Sequence, residues 1–70
     1  MPQIFANATV DVLVPSNPKQ NGQFKVNVWG KEPYNYTFDY IFTAKNDTQA
    51  AQQGIQKFIT DVEQLGPKGS

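Results

Sequence analysis

Residues 46–67 read NDTQAAQQGIQKFITDVEQLGP, and the rest of the chain has to fit this stretch. Asp47 or Thr48 is placed to cap a first helical turn, because a short side-chain oxygen there accepts from backbone N–H groups that have no helical partner. Gly66 supplies a left-handed exit, and Pro67 forbids continuation. Between these ends Ala51, Gly54, Ile55, Phe58, Ile59, Val62 and Leu65 recur at spacings of three and four, which gathers them on one face. Gln49, Gln52, Gln53, Gln56, Lys57, Thr60, Asp61, Glu63 and Gln64 fill the other. Gly54 costs about 1 kcal/mol of helix propensity relative to Ala. Its place on the apolar stripe points to a close approach between the helix and whatever it covers.

Residues 1–45 must supply that covered surface, and they alternate with period two. In 4–14, Ile4, Ala6, Ala8, Val10, Val12 and Val14 point one way, while Asn7, Thr9, Asp11 and Leu13 point the other. In 23–29, Phe24, Val26 and Val28 oppose Lys25, Asn27 and Trp29. In 34–44, Tyr36, Phe38, Tyr40, Phe42 and Ala44 oppose Thr37, Asp39, Ile41 and Thr43. Period two with β-branched and aromatic residues predicts three strands. The segments PSNPKQNG (15–22) and GKEP (30–33) read as turns, the first through its prolines and its Asn-Gly pair. Connections this short pair consecutive strands as an antiparallel meander. The predicted fold is α+β, a two-layer β-β-β-α domain over 1–66 with the helix across the even-numbered face, followed by a flexible tail at 67–70.

Composition narrows the function. The chain has 70 residues, no cysteine, no histidine, and a formal net charge of +0. It therefore forms no disulfide, and no metal site or cofactor is expected. Every basic residue is lysine, so there is no bidentate clamp for phosphate. Without His or Cys the chain lacks the usual proton shuttle and thiolate. Ser16 and Ser70 have no base near them in sequence. Asp11 and Asp39 share the open face, but strand two lies between them, about 10 Å from one backbone to the other. Catalysis is not expected. No apolar run reaches the length of a membrane span, and Met1-Pro2-Gln3 does not open a signal peptide, which points to the cytoplasm.

The uncovered sheet face mixes uncharged polar groups with large apolar ones, a composition that suits a protein interface. Leu13 and Ile41 are expected to flank the stem of Lys25 toward the first hairpin, with Trp29 at the other end near Asn7, Thr9 and Thr37. Trp29 fits an interface anchor, with Tyr34 beside it, because tryptophan is enriched at binding hot spots. The first strand carries no proline or lysine between Ile4 and Val14, although monomers usually blunt an edge in that way. The expected function is thus a small, non-enzymatic protein-interaction module of regulator or inhibitor type, as found in bacteria and phage. It is expected to form a homodimer. The expected contacts are Leu13, Lys25, Trp29, Tyr34 and Ile41 on the open face, or Asn7, Thr9 and Asp11 on the edge strand, where Thr9→Pro is expected to block pairing.

Two alternatives stand beside this. One is a structural subunit buried in a larger assembly. The other arises because three strands running into a helix that opens with Ala50-Ala51 resemble the second part of a double-stranded-RNA-binding domain. That resemblance implies a nucleic-acid-associated accessory protein. The family's leading helix is missing, and its lysine cluster is reduced to Lys45, followed by Asn46 and Asp47. An open face with two carboxylates and one lysine also argues against phosphate binding, so nucleic acid is not the expected ligand.

Overall fold

The computed structural model describes residues 4–68. Each alternating segment becomes a strand, β1 (Ala6–Val14), β2 (Gly22–Gly30) and β3 (Thr37–Ala44), and the periodic stretch becomes one helix, α1 (Asp47–Leu65). The sheet is an antiparallel meander of order β1-β2-β3. The helix lies on the even-numbered face. Phe24, Val26 and Val28 of the central strand are buried against Ala50, Gly54, Phe58 and Val62, with Ala44 closing one end. Of the expected tail, Pro67 and Lys68 are described, and the Lys68 N–H donates to the Pro33 carbonyl. Gly69 and Ser70 lie outside the described residues.

The helix begins one residue earlier than its sequence signal suggested. Asn46 is the N-cap, in an extended conformation, and its Oδ1 accepts the Gln49 N–H at 2.8 Å. The Gln49 side chain reaches back past the cap, its Oε1 accepting the Lys45 N–H at 2.9 Å. The two bonds satisfy one backbone donor inside the first turn and one just before the cap. Asp47, expected as a cap, sits inside the first turn, where its carboxylate favours the positive end of the helix dipole. Gly66 ends the helix at φ 83°, with its N–H on the Val62 carbonyl.

The packed stripe runs in strict steps of four through 50, 54, 58 and 62, so Ala50 is buried where Ala51 was expected. Leu65, expected on the stripe, is 58% exposed. The close approach expected at Gly54 is present: a β-carbon there would stand 2.6 Å from Val26 Cγ1 and 3.3 Å from Val28 Cγ2.

The first connection turns inside the expected segment 15–22, with its tip at Pro18-Lys19. Asn17 and Gln20 exchange backbone hydrogen bonds across that tip, and Gly22 is the buried first residue of β2. The third strand starts at Thr37, not at residue 34. The Tyr34 N–H folds back to the Lys31 carbonyl, so the connection after Gly30 takes residues the alternation had assigned to strand.

Candidate functional site

The register fixes which side chains share the open face. Trp29 stands between Asn7 and Thr37, Asn27 between Thr9 and Asp39, and Lys25 between Asp11 and Ile41. Of the neighbours expected for Trp29, Asn7 and Thr37 stand directly across from it and Thr9 is one row away beside Asn27, while Ile41 stands beside Lys25 as expected. Asn27 Nδ2 donates to the Asp39 carboxylate in the middle row. Trp29 is half-buried, whereas Ile41 is 66% exposed. Tyr34 is half-buried and packs against the core cluster, away from the open-face rows.

Leu13 is displaced by a bulge. The ladder shifts between Val12 and Val14, and Val14 takes the place opposite Gln23. Residues paired across a ladder point to the same face. Val14 is thereby carried from the helix side, where alternation had placed it, to the open side with Gln23 and Thr43. Asp11, and not Leu13, stands directly across from Lys25.

Val12 keeps its parity but is still 55% exposed. The cause is the two-residue link Lys45-Asn46, which pins the start of α1 beside the end of β3. At that level β1 lies two strand spacings away, about 10 Å. Val12, Leu13, Val14 and Ile41 consequently form an exposed apolar end that simple alternation did not reveal. The molecule is elongated, measuring 46 × 19 × 15 Å.

The backbone of β1 matters as much as its side chains. The Gly30 N–H donates to the Tyr36 carbonyl, on the β3 side. In an antiparallel sheet the hydrogen-bonding direction alternates along a strand. Even-numbered residues of β2 therefore bond to β3, and odd-numbered ones bond to β1. It follows that Asn7, Thr9 and Asp11 of β1 turn their N–H and C=O groups inward to Trp29, Asn27 and Lys25. The outward row belongs to Ala6, Ala8, Val10 and Val12. Their side chains face the helix, and their backbone groups face solvent. Thr9→Pro would thus cut an internal bond, while the edge itself is blocked by a proline at Ala8. Sequence alone carried no signal for this choice, because parity depends on where the third strand's ladder begins.

The two flanks of the sandwich are chemically unlike. On the β3 side, Tyr40 Oη donates to Asp61 Oδ2 at 2.8 Å, and Lys57 lies 3.7 Å from that carboxylate and over the Tyr40 ring. Tyr36 Oη donates to the Gly66 carbonyl. Burial and the Asp61 carboxylate together push the Tyr40 phenol above its ordinary pKa. Helical spacing turns Ala51, Ile55 and Ile59 to the opposite flank, above β1. The β3 flank is closed by polar groups; the β1 flank is apolar, and Ile55 and Ile59 are only partly buried.

Among the described residues no cluster of His, Cys, Asp or Glu has the grouping to hold a metal ion, and no helix is long and apolar enough to cross a membrane. No protein-family model, no curated protein and no solved structure matches the chain.

Proposed function

We propose that the chain is a small, non-enzymatic protein-interaction module that joins a protein partner by strand addition along β1. One observation carries the reading. The outward N–H and C=O groups of Ala6, Ala8, Val10 and Val12 lie in a run free of proline and lysine, beside an apolar helix flank. Strand addition uses these features, main-chain hydrogen bonds for affinity and adjoining side chains for selectivity. Val12, Leu13 and Val14 add apolar area at one end of the same edge.

The test uses sedimentation equilibrium of the pure protein and capture of protein from native lysate. Each is run on the wild type, Ala8→Pro and Trp29→Asp. Proline is tolerated on an edge strand whose N–H faces outward, so Ala8→Pro should fold, which amide NMR verifies. Association by wild type and by Trp29→Asp, and its loss in folded Ala8→Pro, is the expected result. Loss in Trp29→Asp alone would move the interface to the open face. No association by either measurement would overturn the reading.

A further inference from the structure

We propose that the partner of β1 is β1 of a second copy of this chain, paired antiparallel about a two-fold axis at Thr9. This rests on the interaction-module reading above and names its partner and register.

The outward parity limits the choices. Hydrogen-bonded pairs across the new ladder must join even-numbered residues, so the axis falls at Ala8, Thr9, Val10 or Asp11. An axis at Asp11 sets two carboxylates opposite each other, which is destabilising. An axis at Val10 runs the ladder into the bulge, placing Ala6 opposite the displaced Val14. An axis at Ala8 sets Asp11 opposite Phe5 and leaves Val12 beyond the partner's strand, which starts at Ala6.

The axis at Thr9 has none of these faults. The regular run of β1, from Ala6 to the shift after Val12, is symmetric about Thr9 and pairs in full. Ala6 meets Val12 and Ala8 meets Val10, a small side chain facing a larger one each time. Asn7 meets Asp11, so an amide donor faces each carboxylate, twice by symmetry. Thr9 meets Thr9, a favourable cross-strand pair. Strand β1 has no other charged residue.

The product is a six-stranded antiparallel sheet with both helices on one face. The Ala51, Ile55 and Ile59 flanks of the two copies then look at each other across the seam, above Ala8 and Val10. A two-fold contact of this kind is self-complementary and closes on itself.

The chain contains no cysteine, so single-cysteine variants report without interference. In this register Thr9 faces its symmetry mate as a non-hydrogen-bonded pair, with Cα atoms about 4.5 Å apart, inside the range that a disulfide spans. Thr9→Cys, exposed and conservative, should oxidise almost completely to a covalent dimer. Mixed Asn7→Cys and Asp11→Cys proteins should link to each other in preference to themselves. Asp39→Cys, on the far strand, should remain unlinked, and adding Ala8→Pro to Thr9→Cys should abolish its link. Wild-type sedimentation accompanies the set. A wild-type dimer in which Thr9→Cys stays unlinked would overturn the proposal and leave the interaction-module reading standing. Efficient linkage of Asp39→Cys would overturn it in favour of stacked open faces. A wild-type monomer at millimolar concentration would overturn it too, and the module reading would fall with it only if Ala8→Pro also left lysate capture unchanged.

Discussion

Single residues reveal where this small core has no slack. Gly54 lies against Val26 and Val28 so closely that a methyl group there has no room. Two effects compete in Gly54→Ala. Helix propensity gains about 1 kcal/mol, while overpacking a tight core costs about 1–3 kcal/mol. Val26 belongs to the sheet's central strand and is fully buried, so relief by movement is expensive and the clash wins. Gly54→Ala should lower stability by roughly 1 kcal/mol in denaturant unfolding, and a gain would show that the helix can lift from the sheet. Tyr40 reports on the opposite flank. Its phenol holds its proton more tightly folded than unfolded, through burial first and Asp61 second. The stability that follows is complete below the ordinary phenol value of about 10 and is lost as pH rises through the higher folded value. Tyr40→Phe should cost about 1 kcal/mol at neutral pH and should flatten the alkaline fall in stability above about pH 10. An unchanged alkaline slope would place the titrating group elsewhere.

At the scale of elements, period and punctuation made most of the architecture legible. Period two in Phe24-Lys25-Val26-Asn27-Val28 marked the central strand, since one face is buried along its whole length. Period 3.6 with Gly66-Pro67 marked the helix and its end. Less legible were features decided by contacts between elements. The bulge at Leu13, the exposure of Val12 and the outward parity of Ala8 all depend on register or on where the short link anchors α1. The N-cap is an intermediate case. Asn46, Asp47 and Thr48 all have capping side chains, and the choice falls to Asn46 because its backbone is extended while Asp47 is already helical. Asn46→Ala should therefore cost about 1 kcal/mol of stability, against a few tenths for Thr48→Ala. Equal losses, measured by thermal unfolding of the two variants, would contradict the cap assignment.

The whole molecule has little stability to spend. A chain of 70 residues carries about 4–10 kcal/mol in all. Among the described residues, the fully buried side chains reduce to Phe58, Val26, Val28 and Val62 with a few smaller neighbours. Phe58→Ala removes about 3–5 kcal/mol, most of that total, and should leave the chain largely unfolded at low concentration by circular dichroism. Self-pairing along β1 alters the balance, because anything that binds only the folded state stabilises it by mass action. For a dimerising chain well above its Kd, each tenfold rise in concentration adds about 0.7 kcal/mol per protomer. In a domain of this size that corresponds to roughly 3–5 °C in Tm. Wild-type scanning calorimetry from about 10 μM to about 1 mM should thus show Tm climbing through two such steps. Ala8→Pro should show a flat Tm over the same range, set at the value the wild type approaches on dilution. A wild-type Tm that is also flat would mean that the β1 edge stays unpaired in the pure protein and that the small core carries the fold alone.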